Sequence, residues 1–183
     1  FRSVFTPLIE LWQQLHDNTE ELIRWYAERH ALIEKLGKVE AYEQVKAAYN
    51  ADPNGADLLF LSRVCYGGVV GFRKADGYMS TPCGPHRPMP PANFAERARI
   101  WAARTAAAEF VNADFEDVID RAVAGDVCYL DPRYADSQTI IYGAQSFSLS
   151  RLFEVIARAR GRGVRVALSL DGTKKSGDKI GRA

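Results

Sequence analysis

Cysteine is scarce: the 183 residues hold three, Cys65, Cys83 and Cys128, at spacings that suggest no pairing. A disulfide framework is therefore excluded as the basis of the fold, and a reducing, cytoplasmic setting is expected. Cys65, Cys83 and His86 match no usual zinc-ligand spacing, and no fourth ligand is evident, so no metal is expected. No apolar run approaches the roughly 20 residues that cross a bilayer, and the first residues do not resemble a signal peptide. A soluble protein with no membrane partner is expected. Neither sign of charge dominates, with 24 Lys and Arg against 23 Asp and Glu. Any contact with a polyanion must then come from local clusters and not from a globally basic surface. The run Asp171, Gly172, Thr173, Lys174, Lys175, Ser176 and Gly177 has the composition of a phosphate loop. It lacks the Gly-x-x-x-x-Gly-Lys-Ser/Thr spacing, which argues against a nucleotide hydrolase. Internal repeats and low-complexity tracts are absent too.

What is present is ample material for a core, 47% apolar residues in a chain the size of one domain with a small inserted subdomain. From residue 7 to 36, Leu8, Leu11, Trp12, Leu15, Leu22, Ile23, Tyr26 and Ile33 recur at helical spacing. Asp17, Asn18 and Thr19 break the run, and Thr19 is the expected N-cap of the second helix. Further helices are expected over 40–50 and 56–65, separated by the turn-rich Asp52, Pro53, Asn54 and Gly55. Between 66 and 91 the composition shifts to Gly, Pro and aromatics, which reads as loop and short hairpin. A capping box at Asn93 to Glu96 opens an Ala-rich helix. The remainder alternates: strand 108–112, short helix 115–122, strand 126–130, long loop, helix 149–161, strand 164–169. Such alternation implies an α/β protein with a parallel sheet.

The sharpest local signal is Val127-Cys128-Tyr129-Leu130-Asp131-Pro132-Arg133-Tyr134, an apolar run ending in a carboxylate, a proline and an aromatic ring. It reads as a buried strand delivering polar groups to the C-terminal edge of a sheet, where ligands of open α/β folds bind. The plainer alternative is a turn after a strand, with Asp131 capping the next segment and Tyr134 packed as core.

Asp131-Pro132-Arg133-Tyr134 resembles the Asp-Pro-Pro-Tyr signature of DNA methyltransferases that modify exocyclic amino groups, and its surroundings resemble the Dam-like adenine-specific family. Phe110-Val111-Asn112-Ala113-Asp114-Phe115 is similar to the family's preceding strand and turn. Leu61-Ser62-Arg63-Val64-Cys65-Tyr66-Gly67-Gly68 and Gly77-Tyr78-Met79-Ser80-Thr81-Pro82-Cys83-Gly84 resemble its DNA-recognition region, and Gly163-Val164-Arg165-Val166-Ala167-Leu168-Ser169 the strand after the catalytic one. These blocks cover roughly residues 40 to 175. The resemblance implies a Rossmann-like sheet dependent on S-adenosylmethionine, with residues 1–36 and 93–183 in the catalytic domain and 37–92 an inserted, mainly helical recognition region. Three departures stand out. The family's Phe-x-Gly-x-Gly cofactor strand and loop do not precede Phe1, no acidic residue falls between Ser3 and Pro7, and Arg133 replaces a proline. A fragment or a degenerate member is the resulting expectation.

The resemblance further implies methyl transfer from S-adenosylmethionine to the amino group of adenine in double-stranded DNA, in restriction-modification or regulatory methylation. Asp131 and the Pro132 carbonyl would accept the two amine hydrogens, and Tyr134 would stack on the flipped base. Asp114 and Phe115, with Asp131, would hold the cofactor; capping the short helix is the competing role for Asp114. Arg63, Tyr66, Arg73, Lys74 and Arg87 would contact DNA, with Phe72 and Tyr78 as wedges and Lys174 and Lys175 on the backbone. The loop 135–147 would fold over the base or DNA. Two alternatives remain open: a DNA-binding relative without catalysis, and amino-group methylation of cytosine.

Overall fold

The computed structural model describes residues 2–3, 5–73, 75–132 and 148–169. Two units divide at the start of the short helix near residue 115, one ending with Phe115 and the other beginning with Glu116.

The first unit is helical. A two-residue strand β1 (Arg2–Ser3) precedes α1 (Thr6–Asp17), α2 (Thr19–Leu36), α3 (Lys38–Ala51) and α4 (Gly55–Val64). The break between α1 and α2 falls where the sequence places it, with the cap one residue earlier. Asn18 accepts from the Glu21 backbone N–H at 3.2 Å, while Thr19 is the first helical residue and donates its hydroxyl to the Leu15 carbonyl at 2.8 Å. Asn reaches the N3 amide as readily as Thr, and the Thr hydroxyl has a carbonyl of the previous helix within reach. Asn54 caps α4 in the same way, accepting from the Asp57 N–H at 2.9 Å.

The run Ala56-Asp57-Leu58-Leu59-Phe60-Leu61 makes α4 apolar on nearly every side, and such a helix must lie at the centre. All six residues are buried, and α1, α2 and α3 each pack on α4. Phe60 and Leu61 are 0% exposed, a burial that contributes roughly 1.5–3 kcal/mol for each side chain. Tyr26 from α2 and Tyr42 and Tyr49 from α3 complete this core, and burial pushes all three phenols above their ordinary range, so they stay neutral donors.

The next helix, α5 (Pro91–Arg104), starts two residues before the expected capping box. Its N-cap is Pro90, with no side-chain cap, because Pro91 already has a helical φ and no N–H to satisfy. Phe94 packs on Tyr26 with ring centroids 4.4 Å apart. The expected strand 108–112 narrows to β2 (Val111–Asn112), parallel to β1 in the register Arg2 with Val111. Phe110 instead stacks on Trp12 at 5.4 Å, and its carbonyl accepts from the Gln13 amide at 2.9 Å.

The second unit contains α6 (Phe115–Asp120) from Glu116 onward, then β3 (Val127–Leu130), α7 (Leu149–Gly161) and β4 (Arg165–Leu168). β3 and β4 pair in parallel from Val127 with Arg165 to Leu130 with Leu168, and α7 lies in the crossover that parallel pairing requires. Leu152, Val155 and Ala159 of α7 are buried, as are Ile119 and Val164. Arg151 and Arg158 both donate to Glu116, at 2.7 and 2.6 Å, which ties α7 to α6 and holds the Glu116 carboxyl below its usual range. Gly163 has φ of +84°, and a Cβ there would stand 3.2 Å from the Ala124 Cβ, so the turn into β4 requires glycine.

One expectation is overturned: β3 is not buried. Val127 and Tyr129 are 62% and 69% exposed, while Cys128 and Leu130 on the other face are half-buried. Side chains alternate between the two faces of a strand, and the face that carries Val127 and Tyr129 is left open. Among the described residues the architecture is thus a mixed α/β fold, mostly helix, with two small parallel strand pairs.

Candidate functional site

In the second unit, β3 ends directly at Asp131 and Pro132, which places the Asp131 carboxylate at the C-terminal edge of the parallel pair. Asp131 is exposed and Pro132 half-buried. The carboxylate is held by a neighbour that the sequence did not single out. Ser169, one residue beyond β4, donates its hydroxyl to Asp131 Oδ1 at 2.6 Å. The Tyr129 hydroxyl donates in turn to Ser169 Oγ at 3.4 Å, and the Ser169 N–H bonds the Leu130 carbonyl at 3.0 Å. In-register pairing of β3 and β4 therefore delivers Ser169 beside Asp131. One carboxylate oxygen is engaged, while the exposure of Asp131 leaves the side chain accessible to an incoming donor. Arg133 and Tyr134 lie outside the described residues, as do the loop 135–147, Lys174 and Lys175.

Asp114 and Phe115 follow β2 in the first unit, both half-buried. They stand at the C-terminal end of a parallel strand, a position formally like that of Asp131. Asp114 belongs to the first unit and Asp131 to the second.

The proposed DNA-contacting residues of 63–87 also lie in the first unit, on a segment that helices α2, α3 and α4 hold by its backbone. After α4 the chain makes a 3₁₀ turn at Tyr66–Gly68 and then a hairpin through the bridge of Phe72 with Met79. Tyr42 donates to the Thr81 carbonyl at 2.7 Å and Tyr26 to the Met89 carbonyl at 2.7 Å. Lys38 donates to the carbonyls of Gly84 and His86, at 2.7 and 3.0 Å. Asn50 makes a two-way clasp: its Oδ1 accepts from the Met79 N–H at 2.7 Å and its Nδ2 donates to the Met79 carbonyl at 3.1 Å. Gly84 is obligatory here, since a Cβ would fall 2.8 Å from the Cys65 carbonyl and 2.7 Å from the His86 ring. Asn50→Ala leaves the buried Met79 amide without its partner and is expected to cost about 1–3 kcal/mol. Denaturant unfolding together with faster hydrogen exchange at Met79 N–H checks this; unchanged exchange would refute the clasp.

The structure brings Arg63 and Arg87 together. With His86, Pro88, Met89 and Pro90 they line an open groove of about 420 Å³, and His86 Nε2–H donates to the Arg63 carbonyl at 2.9 Å. Tyr66 is 62% exposed beyond the end of α4. Arg73 is differently placed. Its guanidinium donates to both Asp76 oxygens, at 3.1 and 2.6 Å, and lies 4.2 Å from the Tyr78 ring centroid. Its charge is thereby offset within the hairpin. Lys74 lies outside the described residues. Among the described residues, no group of three or more His, Cys, Asp or Glu could hold a metal, and no helix is long and apolar enough to cross a membrane.

A DNA N-6-adenine-methyltransferase of Escherichia phage P1 is 28% identical over an alignment covering 93% of this chain and 25% of that protein. The chain thus spans about a quarter of that relative's length. The family model described as D12 class N6 adenine-specific DNA methyltransferase matches residues 4–176, across both units and including Asp131, Pro132 and Ser169. On that match, the chain belongs to the D12 class of N6 adenine-specific DNA methyltransferases.

Proposed function

We propose that this chain binds adenine flipped out of double-stranded DNA and holds its amino group for methylation by S-adenosylmethionine, within a Rossmann-like methyltransferase sheet. The observation that carries the reading is the Asp131 carboxylate at the end of β3, exposed and fixed by Ser169. Parallel β1–β2 and β3–β4 pairing supports the fold, since ligands of such sheets gather at the carboxyl ends of strands.

The adenine amine is a poor nucleophile because its lone pair is delocalised into the ring. Asp131 accepts one amine hydrogen and the Pro132 carbonyl the other. That pairing favours a pyramidal nitrogen and aligns its lone pair. Tyr134 supplies the stacking surface for the base, whose extrusion costs a few kcal/mol. S-adenosylmethionine supplies an electrophilic methyl on a sulfonium. A half-buried carboxylate followed by a half-buried aromatic ring, Asp114 and Phe115, suits the amino group and the ring of its adenine. Residues 37–92 act as the recognition region, the rest as catalytic domain. Arg63 and Arg87 bind phosphates from the groove they share, with Tyr66, Arg73 and Lys74 along the same segment.

Arg133 favours a second reading, a relative that binds DNA and transfers methyl groups slowly or not at all. Proline at this position would restrict Pro132 to extended backbone and aim its carbonyl, a restraint that arginine lacks while adding a cation. Labelled S-adenosylmethionine and unmethylated DNA decide between the readings. N6-methyladenine in the product, increased by Arg133→Pro, supports the enzyme. Intact DNA binding without transfer by either form supports the binder, and N4-methylcytosine would reassign the base.

Arg63→Ala and Arg87→Ala are each expected to weaken duplex binding. Each should also flatten the slope of log K against log salt by about 0.9, the value for one released counterion. Unchanged slopes would remove the groove from the DNA interface.

A further inference from the structure

We propose that Cys65 and Cys83 form a reversible dithiol–disulfide site that ties together the base of the 66–82 segment; the inference is independent of the methylation chemistry. The two residues face each other in an antiparallel bridge. Tyr66 N–H bonds the Pro82 carbonyl and Gly84 N–H bonds the Val64 carbonyl, each at 2.8 Å. These bonds flank the cysteines without joining them, which defines a non-hydrogen-bonded pair. Facing Cα atoms in such pairs stand about 4.5 Å apart with side chains on the same face. Disulfides span Cα separations of about 4.4–6.8 Å, so the backbone already suits the bond.

Both are free thiols. Their contacts are weak sulfur ones, Cys65 Sγ with the Ser62 carbonyl at 3.8 Å and with the backbone N–H groups of Cys65 and Gly68, and Cys83 Sγ with the Gly84 carbonyl at 3.6 Å, so turning them towards one another sacrifices little. Their accessibilities differ: Cys65 is 0% exposed and Cys83 half-buried, so a reagent meets Cys83 first. Burial pushes both thiols up; beside Cys83, Lys38 and Lys46 oppose that shift and Glu43 reinforces it.

The oxidant is a small-molecule disulfide of the glutathione class. The Cys83 thiolate attacks one of its sulfurs, forming a mixed disulfide and releasing one thiolate. The Cys65 thiolate then attacks Cys83 Sγ and releases the second. Two protein thiols and one disulfide become one protein disulfide and two small thiols, so the protein pair is oxidised and the reagent reduced. The closed ring contains Tyr66, Arg73 and Tyr78, and the groove residues Arg63, His86 and Arg87 flank it on the two sides.

The test uses the whole chain, incubated with glutathione disulfide, quenched with N-ethylmaleimide and digested without reduction. The expected result is a mass lower by two hydrogen atoms, peptides joined through Cys65 and Cys83, Cys128 alkylated, and slower tryptic cleavage at Arg73. Thiol reductant should reverse all of it, and Cys83→Ser and Cys65→Ser should each abolish the joined peptides. The proposal is overturned if Cys83 accumulates a stable glutathione adduct while Cys65 remains alkylatable. It is equally overturned if both stay reduced under conditions that oxidise a reference dithiol peptide.

Discussion

Asp131→Ala is expected to lower methyl transfer by about 10²–10³-fold with little change in affinity for DNA or S-adenosylmethionine, the scale on which loss of one preorganised transition-state partner acts. In the proposed site the effect would fall on the chemical step, because the carboxylate would draw on an amine that becomes more acidic as its lone pair leaves the ring. Asp131→Asn sharpens the prediction. An amide keeps the size and can still accept from Ser169 through its oxygen, at the place where Oδ1 now accepts at 2.6 Å. Its NH₂ would then face the adenine amine, donor against donor, so the isostere should be nearly as impaired as alanine. Ser169→Ala leaves the carboxylate in place and removes one solvent-exposed hydrogen bond to it, a bond that water weakens. Its loss in kcat should be smaller than that of Asp131→Ala, and Ser169→Thr should recover part of it. Single-turnover kinetics separate binding from transfer. An active Asp131→Asn protein would show that the carboxylate is not the amine acceptor and would return Asp131 to its plainer role in the turn after β3.

Arg29→Ala should lower the stability of the helical unit by about 3–5 kcal/mol, the usual cost of stranding one charge of a buried pair. Arg29 Nε donates to Asp57 Oδ1 at 2.6 Å, and their side chains are 21% and 9% exposed. Asp57 sits in the first turn of α4, where it also accepts from Asn54 Nδ2 at 3.0 Å, and Arg29 bonds the Trp25 carbonyl at 3.2 Å. Removing the guanidinium leaves an anion in the wall of the core with one amide donor. At about 2–4 °C per kcal/mol for a chain of this size, Tm should fall by roughly 6–20 °C. All three tryptophans, Trp12, Trp25 and Trp101, lie in the first unit, so fluorescence in denaturant reports this unit alone. Replacing both partners with apolar residues should regain much of the loss, as no charge is then stranded. A change below about 1 kcal/mol for Arg29→Ala would mean that water screens the pair as it does at a surface.

Local signals were legible where neighbouring residues decide the outcome. Periodicity placed α1 and α2, the turn signal at 52–55 separated the stretches that became α3 and α4, and the Gly-Pro-aromatic composition of 66–91 marked a hairpin and loops, because helix and turn preferences act over a few residues. The Thr19 cap and the Asn93 capping box failed for the same reason. Asn18 and Pro91 offered alternatives just as local, and the pattern alone could not rank them. The buried reading of Val127 to Leu130 failed because an apolar run records what a strand can bury, and burial depends on what covers each face.

By itself the sequence determined the run of helices in the first unit, an Asp-Pro step after a strand, and family membership through motifs in a fixed order. Tertiary structure alone decided that Ser169 meets Asp131, that Arg63 and Arg87 share a groove while Arg73 is engaged by Asp76, and that Asn50 clasps Met79. It also set Cys65 opposite Cys83. Hydrogen bonds, ion pairs and grooves form between groups brought within a few ångströms. For partners 29 positions apart, as Asn50 and Met79 are, or 38, as Asp131 and Ser169 are, that proximity is fixed by helix packing and strand register, which no short-range pattern encodes.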